Sequence, residues 1–293
     1  MGDNPTLISL LTYKIKILMR NFISLALFVF TIQYVSAQDL MVPVAADTVR
    51  EVSLTNLKSN SKTMIALVFG QSNAANNGKV PYTPHNTSVL NYYDGKLYVA
   101  KDPLFGNTRN GGSVWSHLGD MLIDRGLYDK VIFIPIAIGG SAIERWVSGD
   151  GSQKLQKTLQ QLADQHIQVT HILWHQGETD NLENTPTSKY KEQLGKILQN
   201  LRKTQPADFY VSLASYHPGA ITKPLGVDTA IRDGQKEFIN ENKGVLLGPD
   251  TDTLIYAIHR YDSVHFSDFG MKAYAELWFQ ALKEKKEKMD NKK

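Results

Sequence analysis

Short, mostly apolar runs separated by stretches of helical periodicity organise this chain. The runs at 64–69, 130–138, 169–175, 209–216 and 244–247 lack the alternation of a half-exposed strand. Bounded by turn residues, runs of that length read as strands buried on both faces, as in a parallel sheet. Between them, Val114, Leu118, Met121 and Leu122 recur at helical spacing, as do Leu155, Leu159 and Leu162. Tyr190, Leu194, Ile197, Leu198 and Leu201 form a third stripe, and Tyr274, Leu277, Trp278, Ala281 and Leu282 a fourth. Each stripe is a core-facing helix surface. Strands alternating with such helices predict an α/β fold, a three-layer α/β/α sandwich on a central, mainly parallel five-stranded sheet.

The amino terminus departs from that pattern. Met19-Arg20-Asn21, the apolar stretch 22–32 and the small residues of Val35-Ser36-Ala37 make a secretory signal over 1–37, cleaved after Ala37, with an over-long start before it. At about a dozen residues the apolar stretch is shorter than the roughly 20 a membrane span needs. The expected location is therefore secreted or periplasmic, with no stable membrane span after cleavage. Residues 38–61 read as an extended lead-in with an edge strand near 49–57, residues 62–285 as one catalytic domain, and 286–293 as a basic tail.

Composition narrows the chemistry. Formal charge is +3, and removing the leader's three basic residues and one acid leaves +1, so no nucleic-acid partner is implied. The lysine-rich tail reads as a solvated helix end. With no cysteine in 293 residues, disulfide scaffolds, thiolate metal sites and cysteine nucleophiles are excluded. His171 and His175 lie on a strand without a zincin's helix and glutamate, and no Walker loop or dinucleotide fingerprint is present. No cofactor or metal is implied, and oligomeric state is not legible.

Four segments carry candidate chemistry. Gly70-Gln71-Ser72-Asn73 follows the first apolar run, and Gly139-Gly140-Ser141 follows the second. His175-Gln176-Gly177-Glu178 ends the third, and Asp262-Ser263-Val264-His265 precedes the last helical stripe. Strand ends of a parallel sheet line one edge, where ligands of open α/β sheets bind. Ser72 is thus a candidate nucleophile. His265 is the candidate base, because a carboxylate three residues earlier, Asp262, can hold its Nδ1 proton. Glu178 is the rival for that orienting role. The G-x-S-x-G elbow is absent, since Ala74 stands at its second glycine position.

These blocks, in this order, resemble the SGNH hydrolase superfamily, and within it the sialate O-acetylesterase and acetylxylan esterase type of carbohydrate esterase. The resemblance spans roughly 64–278. It implies a flavodoxin-like SGNH fold and a serine esterase that removes O-acetyl groups from an oligo- or polysaccharide. It also implies an oxyanion hole from the Ser72 N–H, a glycine N–H and the Gln176 side-chain amide. Gly139 is placed there, with Gly140 the alternative. Asn73 is expected to fix the nucleophile loop and Arg145 to contact an acidic sugar or pair locally, while Trp146 packs. The segment 77–112, with its hairpin-like Tyr93-Asp94-Gly95-Lys96 turn, is expected as an insertion shaping the cleft. A silent carbohydrate-binding module and a lipid or thioester hydrolase are the alternatives.

Overall fold

The structure, a computed structural model, describes residues 50–57, 60 and 62–290. The expected leader and its cleavage point lie outside them, as do most of the lead-in and the last residues of the tail. Eight strands form one sheet in the order β1-β4-β3-β5-β2-β6-β7-β8. They are β1 Glu51–Val52, β2 Thr63–Gly70, β3 Val89–Tyr93, β4 Lys96–Val99, β5 Lys130–Pro135, β6 His171–His175, β7 Asp208–Leu213 and β8 Val245–Asp250. From β3 to β8 every pairing is parallel, whereas β4 and β1 add an antiparallel edge. The helices are α1 Val114–Asp124, α2 Asp150–Asp164, α3 Glu178–Glu183, α4 Thr187–Leu201, α5 Thr229–Glu241 and α6 Asp268–Asp290.

Strand β2 shows why the sheet needs a layer on each side. All its residues are buried, and successive side chains point to opposite faces. Ile65, Leu67 and Phe69 pack into one core with apolar residues of α2, α4 and α5, such as Leu159, Leu194 and Ile231. Met64, Ala66 and Val68 pack into a second core with α1 and α6, around Trp115 and Trp278. Full burial of one such side chain contributes about 1.5–3 kcal/mol, so the two cores hold the sandwich without covalent staples.

The sheet has eight strands where the apolar runs predict five. The segment 77–112 supplies β3 and β4, and the lead-in supplies β1. Asn91 interrupts the apolar run of β3, and its side chain is buried by accepting from Phe105 N–H at 2.7 Å and donating to Phe105 O at 3.2 Å. The β3–β4 turn places Asp94 and Gly95 at φ 48° and 81°, the two positive angles of a type I′ hairpin. The expected strands also end early at β5 and β7, where residues 136–138 and 214–216 run on as loops at the carboxyl edge, although Ile136 and Ile138 N–H still donate to Val68 O and Gly70 O of β2.

Candidate active site

Ser72 stands at the carboxyl end of β2, near the middle of the sheet. Gly70 before it has φ +130°, and a Cβ there would fall 1.9 Å from the His175 carbonyl oxygen. Only glycine lets the two strand ends approach so closely. Gln71 N–H donates to the same oxygen at 3.0 Å, and the chain then turns into a short 3₁₀ helix, Ser72–Ala74. Ser72 therefore sits at a helix start, where backbone N–H groups have no intrahelical acceptor. It is 5% exposed.

The base is built by the loop between β8 and α6. His265 Nδ1 lies 2.7 Å from Asp262 Oδ2, while Asp262 Oδ1 accepts from Val264 N–H at 2.9 Å and His265 N–H at 2.6 Å. Ser263 between them has φ +70°, which curls the carboxylate back over its own loop. Burial alone would raise the Asp262 carboxyl, but those three hydrogen bonds to its ionised form outweigh it and hold it below the usual range. A carboxylate fixed on Nδ1 leaves Nε2 to face outward, where Asn77 Nδ2 lies 3.5 Å away. Ser72 Oγ makes no hydrogen bond to His265 in this conformation; such bonds are commonly long without substrate.

Arg260, which sequence reasoning missed, holds this loop from beneath. Its buried guanidinium donates to Leu254 O at 2.7 Å, Val264 O at 2.6 Å and Thr251 O at 3.3 Å, and lies 3.8 Å from the Phe266 ring centroid. Its signature is faint in sequence, an arginine two residues before Asp262. Arg260→Met should strip the Leu254 carbonyl of its donor, leave Val264 O with only the longer bond from Asn73 and Thr251 O with only the Leu254 N–H, and lower stability by about 2–4 kcal/mol, seen as a lower unfolding midpoint in urea.

Glu178 opens α3 fully buried, with no contact to His265. Its Oε1 accepts from Asn73 Nδ2 at 2.9 Å and lies 3.7 Å from His175 Nδ1. Burial pushes His175 down to about 3, so that imidazole is neutral, and pushes the Glu178 carboxyl up. Of the two carboxylates left open by the sequence, Asp262 is the one that touches His265. Gly177 between the Gln and Glu has φ +154°, with its Cβ position 1.9 Å from Ala214 O, so the block turns tightly against β7.

The surroundings of three residues bear on the roles expected of them: Gln176 and Gly139 meet other partners, and Arg145 pairs locally, the second of its two expected roles. Gln176 Nε2 is surrounded by Gln71 Oε1 at 3.1 Å, Ser141 O at 3.1 Å and Asp180 Oδ2 at 2.5 Å, and its Oε1 accepts from Tyr190 OH at 3.0 Å. An amide nitrogen carries two hydrogens, so this one is committed to tying loops together rather than to an oxyanion. Gly139 N–H donates to Thr108 Oγ1 at 2.8 Å, whereas Gly140 is exposed at φ +62° with no such acceptor among the described residues. Arg145 pairs with Asp150 through two bonds of 2.9 and 2.7 Å at the start of α2. Trp146 is in the core against Phe69 and Trp174.

A cleft of about 430 Å³ opens beside the base, lined by Asn77, Lys79, Arg109, Tyr261, Asp262 and His265, among others. The two ends of the 77–112 segment form its wall, while the middle of that segment extends the sheet. Ser72 does not itself line this space.

The model of a protein family described as carbohydrate esterase, sialic acid-specific acetylesterase, matches residues 62–280. The chain belongs to that family. This esterase is thus a carboxylic ester hydrolase acting on carbohydrate acetyl groups. No curated protein sequence matches it. Among solved structures, a protein from Arabidopsis thaliana is similar at 19% identity and a TM-score of 0.61, over 77% of this chain and 99% of that one. NanS is similar at 12% identity and a TM-score of 0.56, over 79% and 99%. The psychrotrophic esterase EstA from Pseudoalteromonas follows at 15% identity and a TM-score of 0.50, over 76% and 97%. At such identities the likeness concerns the fold, and the esterase shares the α/β architecture of these proteins.

Chemically, the edge offers a serine at a helix start, an imidazole held by a carboxylate, and an exposed glycine turn. Residues of these types are the ones that acyl transfer from an ester calls on.

Proposed function

We propose that this chain is an exported serine esterase that removes O-acetyl groups from a carbohydrate through an acyl-enzyme on Ser72. The observation that carries the reading is the Asp262–His265 pair at 2.7 Å, built on a loop that ends beside the nucleophile strand. Ser72 Oγ attacks the acetyl carbonyl as His265 Nε2 takes its proton, and the imidazolium is stabilised by Asp262. The tetrahedral oxyanion is received by the N–H groups of Ser72 and Gly140. The intermediate collapses with cleavage of the bond between the acetyl carbon and the sugar oxygen, His265 gives its proton to that departing oxygen, and a water activated by the same imidazole then attacks the acetyl-enzyme, releasing acetate and returning the proton to Ser72 Oγ. The apolar leader with small residues at 35 and 37 supports export to the secreted or periplasmic space.

Lys79 and Arg109 on the cleft wall support a glycan that carries a carboxylate, in keeping with the sialic acid in the family's description. Lys79→Ala together with Arg109→Ala should raise KM for O-acetylated sialic acid about tenfold, equivalent to roughly 1.4 kcal/mol, and leave acetylated xylan unaffected. Acetate release from a panel of neutral and acidic acetylated glycans tests the whole reading. Release from acidic members supports it. Activity that instead climbs with acyl chain length on uncharged esters would overturn it in favour of a lipid hydrolase.

A further inference from the structure

The residue after the nucleophile grips the residue before the base. Asn73 follows Ser72, and Val264 precedes His265; Asn73 Nδ2 donates to Val264 O at 3.4 Å. The same nitrogen donates to Glu178 Oε1 at the shorter distance of 2.9 Å. An amide that gives one hydrogen to a fixed carboxylate has its second hydrogen aimed, here at the Val264 carbonyl. From another direction Arg260 Nη1 donates to that same carbonyl at 2.6 Å. Strands β2, β6 and the loop after β8 thus meet at one side-chain amide.

A packing role does not account for Glu178. It is 2% exposed, its Oε2 has no hydrogen-bond partner, its neighbour His175 is neutral, and the buried Arg260 guanidinium attracts it only through space. Burying a carboxyl so incompletely satisfied is unfavourable compared with an apolar side chain of similar size. That cost is offset if the carboxylate holds a geometry the chemistry needs. Displacing a reacting group by about 1 Å can lower turnover a hundredfold.

We propose that Glu178 is a positioning residue that acts through the Asn73 amide to set the separation between Ser72 and His265. This rests on the serine-esterase reading. The test uses the full chain as wild type, Ser72→Ala, Asn73→Ala, Glu178→Ala, Glu178→Gln and the Asn73→Ala/Glu178→Ala double variant, with acetate release and thermal unfolding measured on each. Asn73→Ala and Glu178→Ala should each lower kcat about a hundredfold with KM within about twofold of wild type. Glu178→Gln, whose side-chain oxygen can still accept from Asn73, should recover most of the loss. The double variant should be no slower than either single one, because both break the same link.

Should Glu178→Ala fail to fold, Asn73→Ala and Glu178→Gln carry the test between them. Wild-type kcat in Asn73→Ala, losses that multiply in the double variant, or a loss confined to KM would overturn the proposal. In those cases a wild type that releases acetate and a dead Ser72→Ala leave the esterase reading standing. A wild type that releases none defeats that reading and this one together.

Discussion

Replacing Ser72 with alanine is expected to abolish acetate release, lowering kcat by about a millionfold, the loss seen when a serine nucleophile is removed from a triad. The change deletes one oxygen from a side chain that is 5% exposed and at the start of a short 3₁₀ turn. Its packing consequence is small, so the unfolding temperature should stay within about 2 °C of wild type. The residual rate would come from the N–H groups of Ser72 and Gly140, which still face the carbonyl oxygen in the variant. Acetate assays with parallel thermal melts check both halves. A variant that keeps turnover would mean that Ser72 is a turn residue, and one that loses its fold would leave the loss of activity uninformative.

Asp262→Asn is expected to lower kcat by about ten-thousandfold with little effect on KM. The carboxylate accepts the Nδ1 hydrogen of His265, which fixes the tautomer with Nε2 free to accept from the serine. An asparagine can still accept the two backbone N–H bonds through Oδ1, so the loop keeps its course. Facing Nδ1 with an NH₂ group, however, it favours the opposite tautomer. The Asp262 carboxyl is held below the usual range in the folded protein, so its stabilising contribution is complete above the ordinary carboxylate pKa. That contribution fades only as pH falls through the lowered folded value. Wild-type stability should therefore decline in acid where that of Asp262→Asn changes less, which unfolding midpoints across an acid pH series would reveal. Equal turnover in Asp262→Asn and wild type would show that the imidazole is oriented by something else.

The parts of this site legible in the sequence are those whose geometry is local. Asp262 and His265 are three residues apart, so a single tight loop brings them together, and their pairing follows from spacing alone. The glycines of the first and third blocks mark backbone approaches that any side chain would block. Apolar runs revealed the central strands because those strands are buried on both faces. What escaped depends on distant partners. Gln176 has the residue type of an oxyanion donor, but its amide nitrogen meets Asp180, four residues on, and also Gln71 and Ser141, whose approach no pattern near residue 176 signals. Arg260 matters through carbonyls at 251, 254 and 264, whose convergence is set by the path of the loop. Strand β3 hid behind Asn91, a polar residue whose burial is balanced by the backbone of Phe105, beyond β4 in the same segment.

Trapping the intermediate tests the central claim most directly. Full-length protein mixed with an O-acetylated glycan is quenched in acid within the first turnovers, digested, and mapped by mass spectrometry. An acetyl group is expected on the peptide that contains Ser72, absent without substrate and absent from Ser72→Ala. Acetate released at the wild-type rate by Ser72→Ala, with no acetylated Ser72 peptide in wild type, would contradict that claim.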